Sequence, residues 1–201
     1  MEQTNMIYKI VLIGNFSSGK TTLIESYLNK HFVDDMKPTI GVQFYNLEFP
    51  ELPNELKVHL WDTAGNERYS TLMPLFYRNT NLCIIVFDVS SENITKQLDK
   101  WYEIYSQHDV DVSKIFLLGS KKDQVSTEEL FNIKNTVNNW ATNKSITNIS
   151  YISAFNKAEI ENFFNKDVQK IVAQNFSTFD KKTSPKYEYL RSAIPIHSCC
   201  W

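Results

Sequence analysis

Apolar positions along this chain fall into two alternating patterns. Ile7–Ile13, Leu82–Asp88 and Lys114–Gly119 are short, nearly continuous apolar runs, the pattern of strands covered on both faces. Between them apolar residues recur three and four apart. Lys20–Lys30 places Leu23, Ile24, Tyr27 and Leu28 on one helical stripe, and Glu92–Ser106, Thr127–Ala141 and Lys157–Gln174 read the same way. Val42–Phe49 and Leu56–Asp62 flank Pro50, Pro53 and Asn54 and predict an antiparallel hairpin, while Thr147–Ile152 predicts a last short strand.

Strands alternating with helices define an α/β chain. The expected architecture is a three-layer sandwich: a mostly parallel six-stranded sheet, one antiparallel edge hairpin, and helices on both faces. Right-handed crossovers then gather the carboxyl ends of the strands along one edge, where such sheets bind ligands. Candidate chemistry follows Ile13, Leu60 and Leu118, three of those ends. From about Asn175 the pattern dissolves into Ser, Thr, Lys, Pro and Tyr. Residues 1–175 are therefore expected to form one domain, and 176–201 a flexible tail.

Composition narrows the class further. Hydrophobic residues make up 42% of 201, too many for a disordered chain. Net charge is −2, so no bulk positive field advertises nucleic acid. The longest apolar run, Leu82–Phe87, is far short of the ~20 residues of a membrane span. Met1–Asn5 has neither the basic nor the apolar region of a signal peptide. A soluble intracellular chain is expected. Of its three cysteines, Cys83 should pack in the core, and neighbouring Cys199 and Cys200 suit neither a disulfide nor zinc.

Gly14-Asn15-Phe16-Ser17-Ser18-Gly19-Lys20-Thr21 satisfies GxxxxGK[ST] between a strand and a helix. Its glycines let backbone N–H groups turn inward on phosphates, and the helix amino terminus adds positive potential. Gly14, Ser17, Ser18, Gly19, Lys20, Thr21 and Thr22 are the expected phosphate-binding residues, with Lys20 reaching the β- and γ-phosphates and Thr21 ligating Mg²⁺. The alternative is a Gly/Ser-rich turn that merely caps a helix. In Trp61-Asp62-Thr63-Ala64-Gly65, Asp62 can hold Mg²⁺ through water and the Gly65 N–H can sense a γ-phosphate. Thr39 offers a second Mg²⁺ ligand. Asp123 can pair its two oxygens with the N1–H and exocyclic amine of guanine.

In order and spacing these motifs make the chain, over residues 7–175, resemble a small GTPase of the Ras superfamily. TIGVQF (39–44), WDTAGNERY (61–69) and LFYRNT…IIVFDVS (75–90) resemble the Rab branch. The segment His31–Asp35 is more similar to Ras itself. The resemblance implies a P-loop fold, GTP/GDP and Mg²⁺ as cofactors, and Lys20 and Asn66 as the catalytic residues. It places Phe32 against the guanine, Lys121 in the guanine motif, and Ser153 and Ala154 where a backbone N–H meets the base carbonyl. Phe44, Trp61 and Phe76 match the exposed aromatic triad on which Rab effectors dock; three core aromatics are the plainer reading.

Four residues depart from the family pattern. Phe16 stands where Gly or Ser is usual, beside the γ-phosphate. Asn66 replaces the Gln that orients the attacking water. Ser120 replaces the Asn of the guanine motif, and Phe155 replaces a Lys and can pack near the base. The first two predict slow hydrolysis, the other two altered nucleotide affinity. Ser198-Cys199-Cys200-Trp201 is no CaaX box, but it resembles a Rab double-cysteine ending. Two lipid chains on Cys199 and Cys200 would give stable anchoring, and Ala193–Ile196 resembles the segment offered to the Rab escort protein. Implied partners are an exchange factor, a GAP, effectors, the escort protein and geranylgeranyl transferase. The implied place is the cytosolic face of an endomembrane. A nearly hydrolysis-dead guanine-nucleotide scaffold is the alternative function. A P-loop kinase is disfavoured, because no acceptor site is evident.

Overall fold

The six short apolar segments pair into one sheet in the order β2-β3-β1-β4-β5-β6 in a computed structural model that describes residues 6–29, 38–65, 76–107 and 111–176. The strands are β1 (Met6–Ile13), β2 (Val42–Leu47), β3 (Leu56–Thr63), β4 (Leu82–Asp88), β5 (Ile115–Ser120) and β6 (Asn148–Tyr151). Every pairing is parallel except β2 with β3, where Val42 lies opposite Thr63 and Leu47 opposite Val58. The hairpin and the mixed sheet expected from the pattern are both present.

Alternation along the strands builds the two cores. Tyr8, Ile10 and Leu12 of β1 face one side with Leu82, Ile84 and Val86 of β4. They meet Leu23 and Ile24 of α1 (Lys20–Asn29) and Ile160 of α4 (Lys157–Asn162). Val11, Ile13, Cys83, Ile85 and Phe87 face the other side and meet α2 (Ile94–Ser106) through Leu98, Trp101 and Tyr105. Val137 and Ala141 of α3 (Thr127–Thr142) complete that second layer. Ser126 starts α3 with a full capping box, exchanging bonds with Glu129. Cys83 is fully buried, as expected, and burial pushes its thiol pKa up.

The last helix differs from expectation. In place of one α-helix over Lys157–Gln174, α4 passes into a π-helical stretch, Phe163–Val168, and resumes as α5 (Gln169–Phe176). Phe163 and Phe164 are adjacent in sequence, yet each is only 1% exposed. In a regular α-helix adjacent side chains diverge by about 100°, whereas the wider π turn lets both rings enter the same core.

Candidate functional site

The loop after β1 is shaped by close backbone contacts. A Cβ on Gly14 (φ 148°) would lie 2.1 Å from the Val86 carbonyl oxygen, so only glycine fits between β1 and β4 there. Gly65 is equally constrained: its Cβ would lie 2.3 Å from the Phe16 nitrogen. The DTAG segment therefore packs directly on the glycine loop. Asn15, the residue before Phe16, accepts a 2.7 Å bond from the Trp101 indole N–H. No local spacing announces that link, because its two ends lie on different elements 86 positions apart.

Lys20 is the first residue of α1 and is only 5% exposed. Its ammonium folds into the loop and donates to the Gly14 and Asn15 carbonyls at 3.0 and 2.9 Å. Burial lowers its pKa to about 8, with the Asp62 charge opposing the shift. One cleft is lined by Phe16, Ser17, Pro38, Lys121 and residues 19–22, 39–40 and 63–65. Phe16 stands 62% exposed at its mouth. Ser18, within the same loop, has its side chain buried.

Three oxygens converge behind the lysine. Thr21 Oγ1 lies 2.5 Å from Asp62 Oδ2 and 2.7 Å from Thr39 Oγ1, and Thr39 Oγ1 lies 3.4 Å from the same carboxylate oxygen. Ala64 N–H donates to Gly41 O at 2.8 Å, which draws the Thr39 segment against β3. Asp62 is fully buried, and its Oδ1 makes no hydrogen bond. Burial raises its pKa, against the Thr21 bond and the Lys20 charge. An unsatisfied carboxylate oxygen beside two hydroxyls is an oxygen-only donor set, which fits a hard cation such as Mg²⁺.

At the far end of the cleft, Ser120 is 1% exposed and donates to Ser18 O at 2.6 Å and to Phe87 O at 3.1 Å. Its hydroxyl braces the phosphate loop. Lys121 sits in the left-handed region (φ 58°) and pairs with Asp88 at 2.7 Å. The other Asp88 oxygen accepts from the backbone and hydroxyl of Ser90, and these bonds with Lys121 hold its carboxyl pKa below the usual value despite burial. Ser153 donates its hydroxyl to Asp123 Oδ1. Ala154 is half-buried against the core, while Phe155 stands 66% exposed beside Asp123 and Ser153 in a second, shallower hollow.

Phe44, Trp61 and Phe76 form one contiguous aromatic row, with ring centroids 5.5 and 6.0 Å apart. Phe44 is exposed, whereas Trp61 and Phe76 are half-buried and rest on the core. Beneath Trp61, buried Lys9 donates to Arg78 O at 2.9 Å and stands 4.9 Å from the indole centroid. Phe32, Asn66, Cys199 and Cys200 lie outside the described residues.

Strand, glycine loop and helix with a buried lysine define a P-loop nucleotide-binding protein. The chain belongs to the Ras family, whose model matches residues 9–173. It is 37% identical to Ras-related protein Rab7 of Drosophila melanogaster over 129 residues, 60% of this chain and 62% of that protein. It is 33% identical to the Ypt/Rab-type GTPase ypt7 of Pyricularia oryzae over 133 residues, 64% of this chain and 65% of that protein. The chain thus spans just under two thirds of the length of both. Ras-related protein Rab-32D of Dictyostelium discoideum is 28% identical over 202 residues, 98% of this chain and 87% of that protein.

Proposed function

We propose that this chain is a Rab-like guanine-nucleotide switch in vesicle traffic: it binds GTP and GDP with Mg²⁺, hydrolyses GTP slowly to GDP and phosphate, and recruits effectors while GTP is bound. The supporting observation is the convergence along one sheet edge of the glycine loop, the Thr21–Thr39–Asp62 oxygens and the Asp123–Ser153 pair. Two relatives carry GTPase in their names, which favours turnover over a non-hydrolysing scaffold.

In this reading the desolvated Lys20 ammonium leaves the Gly14 and Asn15 carbonyls for the phosphates, and the inward N–H groups of the loop share their charge. Thr21, Thr39 and Asp62 would hold Mg²⁺, which would supply neutralising charge to the phosphates. Thr39 and the Gly65 N–H report the γ-phosphate to the surface that carries the Phe44–Trp61–Phe76 row. Asp123, steadied by Ser153, accepts from guanine N1–H and the exocyclic amine, and Phe155 and Phe32 pack near the base. Asn66 orients the attacking water.

Exchange factor, GAP, escort protein and transferase belong to the same proposal, as does lipid attachment through Cys199 and Cys200 on the cytosolic face of an endomembrane. Among the described residues no helix is long and apolar enough to cross a membrane. Competition titration of the native protein tests the core of the proposal: GDP should displace bound nucleotide and ADP should not. Equal displacement refutes the guanine assignment, and unmodified cysteines in membrane-bound native protein refute the anchor.

A further inference from the structure

Reading a base needs two loops held in register. One, residues 120–124, carries Lys121 and Asp123; the other, residues 152–156, carries Ser153 and Ala154. Directly, they share a 3.3 Å bond from Lys122 N–H to Ile152 O and the Ser153–Asp123 hydroxyl bond. Ser120 adds nothing to this link, because its hydroxyl is directed at Ser18 and Phe87.

Glu159, in the first turn of α4, bridges both loops with one carboxylate. Its Oε2 accepts the Ser153 N–H at 3.0 Å. Its Oε1 accepts from Asn156 Nδ2 at 3.0 Å and pairs with the Lys122 ammonium. The carboxylate is not needed to start the helix, because the Asn156 side chain already caps it by accepting the Glu159 N–H. The Lys122 and Glu159 side chains are 30% and 24% exposed, so solvent screens the pair only in part.

We propose that Glu159 is a positioning residue that clamps the two base-reading loops into one unit, setting both how long guanine nucleotide stays bound and how strictly guanine is chosen. The inference rests on the reading of Asp123 as the guanine acceptor. Glu159 fixes the Ser153 backbone, the Ser153 hydroxyl fixes Asp123, and Lys122, the residue preceding that aspartate, ties its loop to the clamp. Loosening the clamp lets Asp123 drift from the exocyclic amine, the one donor that guanine has and hypoxanthine lacks.

The test uses the full chain loaded with mant-GDP, followed by competition with GDP and IDP. Glu159→Ala should release mant-GDP about tenfold faster, the loss of one charge-assisted link, and lower the GDP-over-IDP preference by a similar factor. Glu159→Gln keeps an oxygen for Ser153 but loses the charge, so it should fall between wild type and Glu159→Ala. It should match Lys122→Ala, and both should lose the salt dependence of release. These two milder variants keep the test readable if Glu159→Ala folds poorly. A lower Tm with an unchanged GDP-to-IDP ratio overturns the proposal, as does wild-type release in all three variants. Failure of the wild-type protein to bind mant-GDP overturns the guanine reading instead.

Discussion

At the phosphate end of the cleft, backbone meets backbone: Gly14 lies against the Val86 carbonyl and Gly65 against the Asn15–Phe16 peptide, each too close for a Cβ. At the proposed base end, a second hollow along the same sheet edge, side chain meets side chain: Lys121 with Asp88, Lys122 with Glu159, Ser153 with Asp123. A backbone fit has no partial version, because an added atom must displace the chain itself. A side-chain pair can be exchanged for another of similar reach. That accounts for where the family pattern is kept and where it is altered. The glycines and lysine of the phosphate loop are intact, while Ser120 and Phe155 replace Asn and Lys at the base end.

The largest expected effect exploits that contrast. Gly14→Ala should abolish nucleotide binding in a filter-retention assay, because its Cβ would stand 2.1 Å from Val86 O at a φ of 148°. Ser120→Ala removes a buried donor to Ser18 and Phe87 but leaves the backbone alone. It should weaken GDP binding only about tenfold, the scale of one lost buried hydrogen bond. Equal losses in the two variants would erase the distinction between the ends.

The same contrast governs what could be read from the chain in advance. Six strands, their mixed pairing and both helical layers follow from apolar period, because continuous runs must be covered on both faces. Gly14, Lys20, Thr21 and Asp62 are fixed by local motifs, and the structure brings them together. The Trp101–Asn15 bond, the Asp88–Lys121 pair and the Lys122–Glu159 pair join residues far apart in sequence, so no local spacing announces them. The π stretch was hidden for a different reason. Phe163 and Phe164 fit an apolar helical stripe singly, and only their joint burial demands a wider turn.

A second expected effect separates binding from turnover at the phosphate end. Phe16 is 62% exposed at the mouth of the phosphate cleft. On the proposed function it adds bulk where a water-orienting amide or an arginine supplied in trans would enter. Asn66 carries the right amide one methylene short, and a displacement of that order can cost ~10²-fold. Asn66→Gln alone should restore little single-turnover GTP hydrolysis, and Phe16→Ser with Asn66→Gln should restore turnover that responds to a GAP. Wild-type hydrolysis as fast as that of the double variant would defeat this account.

The smallest expected effect is a pH dependence that distinguishes two buried lysines. Lys9 and Lys20 are 1% and 5% exposed, and burial lowers both pKa values from 10.5 to about 8. Above pH 8 the folded, nucleotide-free chain holds fewer protons on these amines than the unfolded chain does, so its stability rises with pH; below 8 the two states match and this contribution is flat. Buried tyrosines act oppositely but later, since Tyr8 is raised to about 12 and its unfolded counterpart ionises only near 10. The buried Cys83 thiol, whose pKa is also raised, opposes the rise already from about pH 8.5, so the comparison is made in a Cys83→Ala background. Between pH 7.5 and 9 each lysine should therefore add about 1 kcal/mol, or about 2–4 °C in Tm. Bound GDP presents fully ionised phosphates to Lys20 and restores its proton, while Lys9 stays against Arg78 O and Trp61. The Tm-versus-pH slope should thus fall by about half when GDP is saturating, and Lys9→Met should remove the remainder. A flat profile without nucleotide would contradict burial as the cause of the lowered values. Identical slopes with and without GDP would place the phosphates away from Lys20, and the contrast between the two ends of the cleft would lose its chemical basis.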